Sequence, residues 1–257
     1  MTIPVLDIMG VALVFIRIGG IYFALPIIGD SPTPLRTRIL LTVGTTLCIT
    51  PLLPPEWTST IDLSLLGLIL AVLKELLIGI VLGFTARMAF DGLIMAASVV
   101  GYQMGFGTAN LLVPDAGMQM DGFTAFHRIL MILIFFAMDM HHTYLFAIGD
   151  TFKFIPIGTA SYSPDFAIFF TKITAGVFST ALQLASPVLV ALMFTMSALG
   201  LIARTVPQMN VFTLSFPVSF GIGLLVYMAT LPFMPGWLNN HYLDVHQNLR
   251  DAIIGLR

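Results

Sequence analysis

Apolar residues in this chain come in long runs separated by short polar or proline-rich punctuation, and strict alternation is rare. The runs predict helices at Ile8–Ile28, Arg38–Leu53, Leu63–Ala86, Met88–Met104, Phe126–Ile148, Pro164–Ala203 and Val211–Phe233. A bilayer-spanning helix needs roughly 20 mainly apolar residues. The second and fourth runs are short by that measure. The sixth is long enough for two segments, with Pro187 marking the expected break. Thr33-Pro34 reads as a capping hydroxyl before a proline at the first helical position. Ser163-Pro164-Asp165 adds a carboxylate suited to the helix dipole. Pro51, Pro54 and Pro55 end the second run, and Asp62 is the expected cap of the third. The pattern predicts an all-α, polytopic membrane protein with broken helices.

Composition sharpens that reading. The 257 residues are 58% hydrophobic and 9% charged, with a mean hydropathy of +0.98, whereas a soluble domain carries about 25% charged residues. Such a surface needs lipid or partner subunits around it. The net charge is −2 and no block of Lys or Arg occurs, which argues against a nucleic-acid partner. Cys48 is the single cysteine; it excludes an intrachain disulfide and a cysteine metal cage, and reads as a small core residue. No basic stretch precedes the first apolar run, and Arg17 lies within it, so that run is expected to be a retained helix and not a cleaved signal peptide. Arg36 and Arg38 favour a cytoplasmic first loop. Beyond Arg87 too few basic residues remain to set an orientation. No internal repeat is apparent, which disfavours a secondary transporter.

One stretch breaks every periodicity. Residues Gly105–Gly122 read GFGTANLLVPDAGMQMDG. Irregular backbone beside membrane helices is tolerated only where protein or a water-filled cavity surrounds it. Gly105, Phe106, Gly107, Leu111, Leu112, Pro114, Gly117, Met118 and Met120 are the candidate functional residues, and an ordinary surface loop is the plain alternative. Met104, Met118 and Met120 belong to a set of 15 methionines. Methionine adapts to irregular surfaces, so these residues suit either core filling or a deformable seal. The tail, 244–257, is polar again, with Val245, Leu249, Ile253 and Leu256 on one helical face, fit for a membrane surface or a partner.

Ionisable residues inside apolar runs are functional candidates. Arg17 sits in the first run, and Lys74 and Glu75 are adjacent in the third. Neighbours on a helix do not face each other, so their partners are expected on other helices or subunits. Asp139-Met140-His141-His142 interrupts the fifth run. It suggests a metal site, but no other ligand stands at a recognised spacing, and a helix end near a polar interface is the expectation. Arg204 is the one charged residue between Lys172 and Asp244. Pro207, Gln208 and Asn210 follow it. This group can satisfy carbonyls freed by the proline or bind a neighbouring subunit; a polar turn between two spans is the plain alternative.

The run Ala203-Arg204-Thr205-Val206-Pro207-Gln208-Met209-Asn210-Val211-Phe212, followed by Phe216-Pro217 and Gly221, resembles the signature of the FliR family of flagellar biosynthetic proteins. Export-gate subunits of virulence type III secretion systems share a similar pattern. The resemblance extends over nearly the whole chain, through the Arg17 helix, the Arg36/Arg38 turn, the Lys74-Glu75 helix and the glycine-rich segment. It implies one export-gate domain over residues 1–257, in which 105–122 forms a plug and helical hairpins pack into a multi-subunit gate. It further implies a non-catalytic role without cofactor or metal, in the bacterial inner membrane at the flagellar basal body. Family members assemble as a single copy with several FliP-like and FliQ-like subunits, raised largely out of the bilayer plane, and FlhB and FlhA complete the gate. Unfolded flagellar proteins are the cargo. Energy comes from the proton-motive force and a separate ATPase, since the chain has no Walker-type glycine loop. By that resemblance Arg17, Lys74, Glu75, Arg204, Pro207, Gln208 and Asn210 are polar positions at subunit interfaces. The rival readings are a small-solute transporter or ion channel, with Arg17, Asp139 and Arg204 on the path, and an intramembrane enzyme. For the latter, Ser186 and Ser197 lack an evident base.

Overall fold

In the computed structural model, residues 5–30, 33–54, 57–58, 62–106, 122–159, 166–206, 208, 210–241 and 247 are described. Those residues form helices and no strand. The helices are α1 Val5–Ala24, α2 Leu35–Ile49, α3 Leu65–Gln103, α4 Gly122–Ala137, α5 Met140–Phe154, α6 Phe166–Thr205 and α7 Val211–Thr230. After a 3-10 turn at Leu231–Phe233 the chain is helical again to His241. Four stretches are long and apolar enough to cross a membrane: Leu6–Ala24, Leu65–Gln103, Ile168–Thr205 and Thr213–His241.

Several boundaries differ from the sequence expectation, each for a local reason. The third and fourth runs form one helix, α3. Arg87, which separates them in the sequence, meets Asp30 at 3.3 Å, and a charge with a partner does not interrupt a hydrogen-bond ladder. The sixth run is also one helix, with Pro187 inside it. Proline cannot donate to the carbonyl four residues back, here that of Gln183. The Ser186 hydroxyl donates to that carbonyl at 2.9 Å instead, so the helix continues without an orphaned acceptor. The fifth run, by contrast, is split. Asp139 adopts the left-handed conformation, φ 54° and ψ 24°, between α4 and α5.

The caps are corrected too. At α3 the residue before the helix is Ser64, whose hydroxyl accepts from the Gly67 N–H at 3.0 Å. Asp62 holds Ser64 in place, accepting from its N–H at 2.9 Å and its hydroxyl at 2.8 Å. Those bonds keep the exposed Asp62 carboxyl below its ordinary range. The carboxylate form therefore holds the cap at neutral pH, and the support is lost only as pH falls through that lowered value. Thr33 does not cap α2, since its hydroxyl donates to the Ile27 carbonyl at 2.8 Å, and Pro34 occupies the cap position. Cys48 is exposed and not a core residue. Ser163-Pro164-Asp165, and all of the 244–257 tail except Gln247, lie outside the described residues.

The described residues fall into two compact units, one within Met1–Phe90, Phe136–Thr174 and Leu243–Arg257, the other within Asp91–Phe135 and Ala175–Tyr242. In the first, Leu13, Val14, Ile18, Ile78, Leu82 and Ile155 are buried. In the second, Leu93, Ala97, Met104, Met131, Leu192 and Tyr227 are buried. Helices α1 and α3 of the first unit meet backbone to backbone. A Cβ on Gly79 would strike the Arg17 carbonyl, one on Gly83 would lie 2.5 Å from the Ile21 carbonyl oxygen, and one on Gly20 would lie 3.1 Å from the Gly79 Cα. Gly79 and Gly83 are one turn apart, as are Gly20 and Ala24. This is the small-residue spacing that lets helices approach closely in an apolar medium.

Gly79→Val is therefore expected to destabilise the purified chain by at least about 3 kcal/mol, the upper end of ordinary overpacking, because only backbone stands in the way. Gly44→Ala, at an exposed mid-helix site with nothing within 4 Å, is expected to stabilise it by about 0.5–1 kcal/mol. Thermal unfolding in detergent measures both.

Candidate functional site

In the first unit Arg17, Lys74 and Glu75 converge on one point. Arg17 and Glu75, both fully buried, form an ion pair between α1 and α3. The pair is bidentate, through Arg17 Nε to Glu75 Oε2 and Arg17 Nη2 to Glu75 Oε1 at 3.0 Å. Arg17 Nη1 also donates to the carbonyls of Ile155 at 2.9 Å and Thr151 at 3.3 Å at the C-terminal end of α5; the Thr151 carbonyl accepts the Ile155 N–H as well. Its guanidinium lies 4.4 Å from the centre of the Phe152 ring. Glu75 Oε1 further accepts the Gly158 N–H at 2.8 Å, and Lys74 Nζ reaches the Gly158 carbonyl at 3.3 Å. Gly158 has φ +77°, which a glycine adopts freely. Of the two kinds of partner left open by the sequence, Arg17, Lys74 and Glu75 find theirs in other segments of the same chain.

In the second unit the first two residues of the glycine-rich segment, Gly105 and Phe106, pack on an aromatic post. Met104 is fully buried against Gly223, where a Cβ would lie 2.6 Å from the Met104 methyl carbon. Gly105 has φ +101°, and a Cβ there would lie 2.8 Å from the Phe216 ring. The Phe106 ring packs edge-on against Phe216 and Phe220, with centres 6.5 and 5.7 Å apart. Gly105 and Phe106 are thus placed. Gly107, Leu111, Leu112, Pro114, Gly117, Met118 and Met120 lie outside the described residues. Phe216 and Phe220 were not singled out by sequence, although their spacing puts them on one face of α7.

The third site joins α6 to α7. Arg204 is exposed in the last turn of α6, where its charge suits the helix dipole. The Asn210 side chain accepts from the Thr213 N–H at 3.3 Å and caps α7. Gln208 is exposed, and Pro207 lies outside the described residues. The structure thus gives Asn210 a capping role that the sequence reading did not assign.

At the start of α5, Asp139, His141 and His142 bring their ligating atoms within 4.8 Å of one another. The residues are a helix start, as expected, and they also draw together the candidate metal ligands that the sequence suggested but that it left without a recognised spacing. A buried contact between His127 Nδ1 and the Tyr227 hydroxyl, 2.7 Å, was likewise missed, because the sequence carries no signal linking positions so far apart.

Helices without strands among the described residues, four of them long and apolar enough to span a bilayer, and buried charges satisfied within the chain define an all-α polytopic membrane protein. The profile of the bacterial export proteins, family 1, matches residues 8–245. The chain belongs to that family. It is 30% identical over 253 residues to the flagellar biosynthetic protein FliR of Bacillus subtilis strain 168, spanning 95% of each chain. It is 29% identical over 238 residues to FliR of Escherichia coli K12, spanning 93% of this chain and 90% of the relative. It is 30% identical over 220 residues to FliR of Caulobacter vibrioides, spanning 86% and 87%.

Removing one member of the buried pair strands the other. Arg17→Met or Glu75→Met alone is expected to cost about 3–5 kcal/mol, while the double substitution costs less than the sum of the two. A double-mutant cycle by thermal unfolding of the purified chain reads the difference.

Proposed function

We propose that this chain is a non-catalytic subunit of the flagellar protein-export gate, and that its residues 1–257 work as one export-gate domain in the bacterial inner membrane. The observation that carries the reading is similarity along nearly the full length of both chains to proteins named flagellar biosynthetic protein FliR. FliP-like and FliQ-like subunits are its partners in the assembly, with FlhB and FlhA alongside, and unfolded flagellar proteins are the cargo. A channel for unfolded chains cannot rely on a shape-specific pocket. It needs a closed state that blocks ions and an open state that tolerates many side chains. In this reading the glycines of 105–122 let the segment bend, and its apolar side chains close against a soft ring. The Phe106–Phe216–Phe220 cluster supplies a fixed base from which it departs. Large apolar residues left exposed on α6, among them Phe178, Leu182, Met193 and Phe194, provide surface for neighbouring subunits or lipid. Arg204 and Gln208, exposed between α6 and α7, secure the chain within the assembly, and Asn210 shapes the turn that presents them.

Co-purification with FliP-like and FliQ-like subunits, followed by mass measurement of the complex, tests the assignment; a chain that is stable alone and transports a small solute points to a transporter instead. Deleting Gly107–Gly117 is expected to raise ion leakage through the reconstituted complex, and unchanged conductance rejects the plug. Arg204→Ala is expected to reduce recovery in the complex. If that variant assembles normally yet blocks export, Arg204 acts on cargo and not on assembly.

A further inference from the structure

We propose that Asp139, His141 and His142 form a binding site for a divalent transition metal of the zinc class at the start of α5. Two imidazoles and a carboxylate are a ligand set suited to zinc. Calcium and magnesium are hard cations that take oxygen ligands, whereas two of the three ligands here are imidazole nitrogens.

The backbone explains why the three residues meet. In a continuous helix residues two apart point about 200° away from each other, so a carboxylate at 139 and an imidazole at 141 could not share an ion. The left-handed conformation of Asp139 interrupts the helix at that residue. The ligating atoms of all three side chains then lie within 4.8 Å of one another. Ligands of one tetrahedral zinc, each about 2.0–2.2 Å from the metal, stand roughly 3.4 Å apart. Asp139 and His142 are exposed, so rotation of their side chains can close the difference.

A second observation concerns His141. Its Nδ1 is buried and has no hydrogen-bond partner among the described residues. A buried ring nitrogen left unsatisfied is costly, and a metal ion is a partner it can take. The His141 and His142 rings are 4.2 Å apart, centre to centre, and the Phe136 ring lies 5.3 Å from that of His141. Low-dielectric aromatic surface beside a ligand strengthens its bond to a cation. The positive end of the α5 dipole opposes a cation here, and the Asp139 charge offsets it. Three protein ligands leave a fourth position for water or for a side chain of a neighbouring subunit. A bound ion would pin the break between α4 and α5 in the left-handed form.

The test is zinc titration of the purified full-length chain in detergent, by competition with a chromophoric chelator, with cobalt absorption reporting coordination number. One equivalent of zinc is expected to bind and to raise the melting temperature. Losing a direct ligand should cost at least as much as losing a group that merely orients one, about 10–100-fold. His142→Gln and Asp139→Asn should therefore each weaken binding by that factor. His241→Gln and His246→Gln should leave it unchanged. His142 is exposed, so its variant is expected to fold even if His141→Gln does not, and its metal-free melting temperature should match that of the unaltered chain. Absence of stoichiometric binding overturns the proposal. So does equal affinity in His142→Gln, or binding that is lost in His246→Gln.

Discussion

An arginine in the middle of an apolar helix has few ways to exist. Each donor of its guanidinium must meet an acceptor, since neither lipid nor protein interior provides water. Arg17 meets most of that demand, four of its five N–H groups finding a carboxylate from α3 or the carbonyls of Thr151 and Ile155 at the end of α5. Ile155 lies just past the last residue of α5, so its carbonyl has no further helical turn to supply a donor, and the arginine supplies one. Glu75 extends the arrangement by holding the Gly158 N–H, and Lys74 holds the carbonyl of the same residue. Three segments distant in sequence are therefore held to one geometry by a single pair of charges. A pair this deeply buried is a weak source of net stability but a strong source of specificity, since any other arrangement strands a charge.

The pair also dictates the packing around it. A guanidinium and a carboxylate can meet with two parallel hydrogen bonds only if their helices lie close. The glycines Gly20, Gly79 and Gly83 permit that approach, and at those positions the nearest obstacle to a side chain is main chain. Charge and glycine thus depend on each other. The helices approach because of the glycines, and the approach is productive because of the charges.

Where helices stop is decided by hydrogen-bond accounting and not by the identity of the breaker. Pro187 removes a donor, yet Ser186 supplies a replacement and α6 continues. At Asp139 no proline or glycine is present, and the chain nevertheless turns left-handed, a conformation that aspartate tolerates better than most residues. This matters for more than helix length. It draws Asp139 together with the two histidines at the N-terminal end of α5.

The sequence by itself determined the all-helical class, the membrane character, the family resemblance and the singular status of Arg17, Glu75 and the Arg204–Asn210 run. Those features are written in residue type and near-neighbour spacing, because a low charge content and long apolar runs constrain any fold the chain can adopt. Phe106 was legible as part of an irregular stretch, but its partners Phe216 and Phe220 were not, since nothing local marks which helix an aromatic ring will meet. Tertiary structure alone decided that Arg17 pairs with Glu75, that Asn210 serves as a cap, and that Asp139, His141 and His142 converge. Each of these depends on a backbone conformation or a contact between distant segments, and the free energy of such contacts is set by who else is near, which no window of sequence contains.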